Sequence, residues 1–278
     1  MRRLFANKAE VLLATRSVSP LVIVAMVAAF TSWTLLVWAW IYPSGLPARV
    51  AQETHGVISP TLVACSFEVV LAFAIACGLG QLRLRDLGLS RRGFVVGALA
   101  TLGAWVFAQL VIVIGALIAS APLAHPPFEL GEMLAQILGN SLDEEVVMRG
   151  FLSVQLVLLA RRFTGPRTAW IVGFGIASIM FALSHIPQRL VSDHEHGVVL
   201  AEDLVVLAWR GLALALVYLR TGHLEVAVGF HALWDVPLPV IASPIAGEAI
   251  IGAQVVLFVV WPYGANTSGV RNVRPAPA

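Results

Sequence analysis

Charge is what this sequence has least of. Asp, Glu, Lys and Arg make up 12% of its 278 residues against 59% apolar ones, and mean hydropathy is +0.86. That lies far outside the balance of a soluble domain, so the chain belongs in lipid. Eighteen basic and sixteen acidic residues leave a net charge of +2, too little for a basic face built to bind nucleic acid. Cysteine is scarce as well. Cys65 and Cys77 lie in one apolar run without Cys-x-x-Cys spacing, which excludes a disulfide framework or a zinc-thiolate site and leaves them as packing or lipid-facing residues. No His-Glu-x-x-His occurs, so the helical zinc-protease signature is missing.

Long apolar runs are abundant. Stretches of about 20 residues bounded by charge, Gly or Pro predict spans near 21–42, 60–80, 94–119, 128–160, 168–186, 202–220, 225–242 and 247–261. The first is too long for the roughly 7–15-residue core of a cleaved signal. The expected architecture is all-α, a polytopic transmembrane bundle of about eight helices. No repeat or low-complexity linker divides it, so residues 1–264 read as one integral membrane domain with its polar core at about 128–242, and 265–278 as a disordered tail.

Eight spans bring both termini to one side. Arg2, Arg3, Lys8, Arg16, Arg83, Arg85, Arg91, Arg92, Arg161, Arg162, Arg167, Arg220, Arg271 and Arg274 fall there, against Arg49 and Arg189 opposite. The positive-inside rule then places both termini of a multi-pass cell-membrane protein in the cytoplasm.

Inside the later spans lie Glu144, Glu145, Arg149, His185, Arg210, His231 and Asp235. The five formally charged residues ask for roughly 12–18 kcal/mol before pairing. Such a cost implies mutual pairing, a wet cavity, or both. Glu145 and Arg149 are four apart in the favourable acid-before-base order, which predicts a structural pair on one helical face. Glu144, about 100° around the helix from its neighbour, is then free to face a cavity as a general base. Phe181-Ala-Leu-Ser-His185 and His231-Ala-Leu-Trp-Asp235 each span one helical turn and end two residues before Pro187 and Pro237. Proline disfavours helix at the preceding residue, so both helices should break beside their polar groups. Broken helices at membrane depth line protein or water, which points again to a hydrated cavity.

These three elements, in this order, resemble the CPBP family of intramembrane proteases, which includes the type II CAAX prenyl endopeptidases and bacteriocin-processing relatives. The residues that carry the resemblance are Glu144-Glu145-x-x-x-Arg149 with Gly-Phe-Leu following, Phe181-x-x-x-His185 and His231-x-x-x-Asp235. It covers about 130–240, and the first three spans are generic. The resemblance implies a glutamate-dependent intramembrane endopeptidase acting on a membrane-associated peptide or protein, with no cofactor. Glu144 would activate water with His185 assisting, while His231 and Asp235 would stabilise the oxyanion. Glu145, Arg149 and Phe181 would support them. Many family members carry Asn where this chain has Asp235, and an ionised carboxylate cannot donate to an oxyanion. Either Asp235 is protonated, or it orients His231 and leaves donation to the imidazole.

Other readings remain open on the sequence. Glu144, His185 and His231 are candidate zinc ligands with Glu145 as base, and chains of acids and His in membranes also serve proton-coupled transporters or survive in non-catalytic scaffolds. Asp193-His194-Glu195-His196 is a loop cluster that solvation alone explains. Arg210 has Glu202, Asp203 or a site carboxylate as candidate partners. Linear counting also leaves a tension. Glu144 and His185 fall in the outer half of their spans, but His231 lies about six residues above the inner boundary. They meet only if the seventh helix is offset, tilted or begins deeper.

Overall fold

The computed structural model describes residues 15–120, 130–243 and 245–261. The expected tail at 265–278 and the outermost basic residues therefore lie outside the described residues. Among those described, the chain is helical and without strands. Its elements are α1 (Pro20–Ile41), α2 (Leu46–Glu53) and α3 (Pro60–Leu79), then α4 (Arg91–Ile118), α5 over 130–160, α6 (Pro166–Ser184), α7 (Ile186–Val191), α8 (Gly197–Thr221), α9 (Leu224–Asp235) and α10 (Ala246–Val260). Among the described residues these helices form the polytopic bundle expected, with α2, α7 and the twelve-residue α9 shorter than the others.

The helix starts are written locally. Proline opens α1, α3 and α6, where its fixed φ suits the first turn and its missing N–H costs nothing. Ser59 and Ser90 cap α3 and α4 by accepting from Leu62 N–H and Gly93 N–H at 3.2 and 2.9 Å. Pro20–Ile41, Pro60–Leu79, Leu84–Ile118 and Pro166–Val191 are long and apolar enough to cross a membrane, which makes this a membrane protein. α5 and α8 have the length but carry more charged residues along it.

Hydrogen bonds define two ends of the bundle. At one, Arg16 Nη1 donates to Gln81 Oε1 at 3.2 Å, Val18 N–H to Gln155 Oε1 at 2.9 Å, and Arg220 Nη2 to the Trp261 carbonyl at 2.7 Å. Ser90 N–H donates to Glu225 Oε1 at 2.6 Å in the same region. Most of the described basic residues cluster here. At the other end, the segment after α9 turns back inside the bundle: Trp105 Nε1 donates to the Leu238 carbonyl at 3.1 Å, and Val240 N–H to Gln109 Oε1 at 2.8 Å.

The span expected over 225–242 is thus corrected. α9 stops at Asp235, because Pro237 and Pro239 can neither donate nor continue a helix. Its twelve residues rise only about 18 Å, less than the roughly 30 Å apolar slab. It also starts deep, with Leu224 fully buried and its N–H 3.4 Å from the Gly88 carbonyl.

Small residues let α9 lie close against α4. A Cβ on Gly97 would come within 2.8 Å of the Glu225 backbone, and one on Gly229 would overlap the Thr101 side chain. Close backbone approach of this kind replaces the hydrophobic effect as the force joining helices in lipid. Gly97→Ala is expected to force the two helices apart and cost about 1–3 kcal/mol. Gly103→Ala, whose Cβ would enter open space, should not. Thermal unfolding of the detergent-solubilised protein, with the two variants side by side, measures the difference.

Candidate functional site

α5 is not a uniform helix. Wide turns, in which an amide bonds five residues back, run over Gln136–Asn140 and Val146–Ser153 and flank one ordinary α turn, Ser141–Glu145. Such widened turns are rare and frequent at functional sites. Here they turn Gln136, Asn140 and Glu144 toward a cavity while Glu145 and Arg149 enter the packed interior.

The expected pair is present. Arg149 Nη1 lies 2.8 Å from Glu145 Oε1, with side chains 2% and 0% exposed. Arg149 Nη2 also donates to the Gly211 carbonyl of α8 at 3.1 Å, and its guanidinium carbon sits 4.5 Å from the Phe181 ring centre. Phe181 contacts both imidazoles edge-on, at 4.8 Å from His185 and 5.8 Å from His231. One aromatic ring therefore spaces the arginine and two histidines.

Both helix breaks fall where the prolines predict. α6 ends at Ser184 with His185 as its cap, and α9 ends at Asp235. His185 Nδ1 is 2.8 Å from the Phe181 carbonyl. A carbonyl can only accept, so Nδ1 carries the proton and Nε2 of the neutral ring is an acceptor. That Nε2 faces Glu144 Oε1 at 3.7 Å. His231 Nδ1 lies 2.9 Å from Glu145 Oε1, and its Nε2 is 3.4 Å from Glu144 Oε2 and 3.6 Å from Asp235 Oδ2. Glu144 is accordingly flanked by an imidazole nitrogen on each oxygen. Asp235 Oδ2 also accepts from Asn140 Nδ2 at 3.4 Å.

The antiparallel run of α5 and α9 removes the tension in depth. Gly150 of α5 packs against Leu224 at the deep start of α9. From that level Glu144 lies six residues back along α5 and His231 seven residues on along α9, so both arrive about 10 Å farther toward the same end. α6 brings His185 there from the same direction.

All four candidate residues line a cavity of about 360 Å³, together with Phe181. Tyr42, just after α1, Gln188 and Arg189 of α7, and Arg210 of α8 also line it, on the side away from the basic cluster. α1 and α3, generic in sequence, form one wall through Phe30, Thr34, Cys65 and Glu68. Glu68 is 8% exposed and accepts weakly from Thr34 Oγ1 at 3.4 Å. Glu68 carries no motif around it in the sequence, and its one signal is that of Glu144, an acid in an apolar span. Asn140, one turn before Glu144, also lies outside the motifs. Asp143 is 1% exposed, and neither of its oxygens has a hydrogen bond among the described residues. Cys65 is more than packing, since its Sγ reaches Asn140 Oδ1 at 3.6 Å.

Of the candidate partners of Arg210, Asp203 instead accepts from Arg189 Nε at 2.6 Å. Asp193 accepts from Arg189 Nη1 at 2.6 Å, so the acidic loop is drawn into an ion-pair network. Among the described residues, no group of three or more His, Cys, Asp or Glu is arranged to hold a metal ion. His185 and His231 approach opposite oxygens of Glu144 rather than converging on one point.

Residues 126–237 match the family model described as type II CAAX prenyl endopeptidase Rce1-like. No curated protein and no solved structure matches the chain. The matched segment runs to within a few residues of the end of α9 and contains Glu144, His185, His231 and Asp235.

Removing one member of a buried ion pair strands the other. Arg149→Met is expected to destabilise the protein by about 3–5 kcal/mol, and adding Glu145→Leu should recover part of that loss, because an apolar pair is tolerated where a lone charge is not. Denaturation midpoints of the two variants in the same detergent give the comparison.

Proposed function

We propose that this chain, whose residues 126–237 match the type II CAAX prenyl endopeptidase Rce1-like family model, is an intramembrane endopeptidase that hydrolyses a peptide bond with water activated by Glu144. The observation that carries the reading is the position of Glu144, on the cavity wall between two imidazole nitrogens.

The 3.7 Å between Glu144 Oε1 and His185 Nε2 exceeds a direct hydrogen bond, and both atoms are acceptors. A water molecule fits between two acceptors by donating one proton to each. As its oxygen attacks the scissile carbonyl, Glu144 takes the proton with His185 assisting. The C–N bond then breaks and the proton passes to the leaving amine, which needs one to depart.

The negative charge of the tetrahedral intermediate needs donors. With Nδ1–H of His231 held by Glu145, a proton on Nε2 would point into the cavity between Glu144 and Asp235. His231 is then the oxyanion donor. The contacts of Asp235 with Asn140 and His231 support the orienting role over direct donation. Glu145, Arg149 and Phe181 hold these groups in register.

The substrate is a membrane-associated peptide or protein reaching the cavity from the end opposite the basic cluster. The positive-inside rule puts the termini in the cytoplasm, so the cavity faces away from it. No cofactor is required, and the protein functions as a single membrane domain.

Wild type should generate membrane-protein fragments, detectable by proteomics of cells, that disappear in Glu144→Ala and His185→Ala, with losses of about 10²–10⁴-fold in rate. Identical fragments in wild type and both variants would refute proteolysis. Cleavage by purified protein in strong chelator is expected to persist; its complete loss, restored by added zinc, would favour the metal alternative. For Asp235, the amide of Asp235→Asn still accepts from a neighbour and should hold activity within about tenfold of wild type. Asp235→Ala should lose more, as measured by initial cleavage rates on the same substrate.

A further inference from the structure

We propose that Arg210 is a specificity-determining residue that binds a carboxylate of the substrate. The proposal rests on the hydrolytic reading of the cavity and names what that cavity recognises.

Charged groups at membrane depth pair with one another or face water. Arg149 is matched by Glu145, Arg189 by Asp193 and Asp203, and Arg220 by the Trp261 carbonyl. Arg210 is exposed and has neither a hydrogen bond nor an ion pair among the described residues. It is nonetheless deep. The next residue, Gly211, gives its carbonyl to Arg149, so Arg210 stands at the level of the buried ion pair.

Arg210 also lines the same cavity as Glu144, His185 and His231. The acids nearby are committed elsewhere. Asp203 holds Arg189, Asp235 faces Asn140 and His231, and Glu144 lies between the imidazoles. A second donor shares the cavity wall. Trp234 lines it, and its buried indole N–H has no hydrogen-bond partner among the described residues.

A guanidinium presents its N–H groups as a planar fork that matches two oxygens of one anion. The cavity sets the choice of anion. Glu68, Glu144 and Asp235 share it, so a doubly charged phosphate would enter a cavity that already holds three carboxylates, whereas a carboxylate brings a single charge. The occupant is therefore an acidic side chain or the terminal carboxylate of the polypeptide being cut.

Binding tests this without depending on turnover. The full-length Glu144→Gln protein, in phosphatidylcholine nanodiscs, is titrated with fluorescein-labelled apolar pentapeptides ending in a carboxylate or a carboxamide. Two further carboxamide peptides carry one internal Glu or Gln. One member of a pair, the acidic one, should bind about tenfold or more tightly, since a site built for a polar group rejects the analogue lacking it. Whichever pair shows the preference identifies the source of the carboxylate.

Adding Arg210→Gln should erase the preference while leaving the unfolding midpoint unchanged, and Arg210→Glu should reverse it toward a peptide with internal Lys. Equal binding of all pairs, or a preference that survives Arg210→Gln, would overturn the proposal. So would loss of the preference in nanodiscs containing phosphatidylglycerol, which would make a lipid phosphate the occupant. A carboxylate preference without cleavage of any peptide by wild type would keep the assignment of Arg210 and remove the hydrolytic reading.

Discussion

A carboxylate cut off from water must find its partners inside the protein, and Glu145 finds two on a single oxygen. Oε1 meets Arg149 Nη1 at 2.8 Å and His231 Nδ1 at 2.9 Å, which ties α5 to α9. Arg149 carries the connection on, to the Gly211 carbonyl of α8 and the Phe181 ring of α6. Four helices are thus held by one buried acid and its base. Buried ion pairs add little net stability once desolvation is counted, so the contribution of this one lies in register. It fixes how α5, α6, α8 and α9 stand relative to one another, and it fixes the face that His231 turns to the cavity.

The position of His231 depends equally on α9 being too short. A helix crossing the full slab would carry its loops to the membrane surface and leave its middle residues to packing. α9 instead begins buried beneath the turn around Gly88 and stops at Asp235, so its polar end lies within the bundle. Irregular backbone at that depth requires internal partners. Trp105 supplies a donor to the Leu238 carbonyl and Gln109 an acceptor for Val240 N–H. The two residues on α4 thereby permit the break that the prolines impose. The glycines that seat α9 on α4 set how far it can move.

Hydropathy made the bundle legible, since lipid demands long apolar runs and the runs have lengths that can be counted. Spacing alone predicted the Glu145–Arg149 pair, and proline predicted the breaks at His185 and Asp235, because these are local effects of the backbone. The wall formed by α1 and α3 was not legible in the same way. Glu68 sits in a span with no motif around it, and only the packing of α3 against α5 brings it into the cavity with Glu144. The contact between Asn140 and Asp235 joins residues far apart in sequence. The length of α9 was misjudged because apolar residues continue past Asp235; hydropathy records burial and not whether the backbone is helical. Arg210 was visible as a charge in a span, but its candidate partner Asp203 is taken by Arg189, a competition that only the fold reveals.

Two adjacent glutamates with nearly the same sequence surroundings end in different circumstances, and the difference follows from geometry. Glu145 points into the packed interior, where a guanidinium and an imidazole N–H occupy one oxygen. Glu144, a third of a turn away, faces the cavity, and its nearest imidazole nitrogens stand at 3.4 and 3.7 Å. Those distances are close enough to share a water and mostly too long to exclude one. Had α5 carried Arg149 one residue earlier, at four residues from Glu144, the guanidinium would have claimed that carboxylate instead. The i,i+4 spacing therefore does more than neutralise a buried charge: by satisfying one glutamate, it leaves the other with lone pairs available to a water.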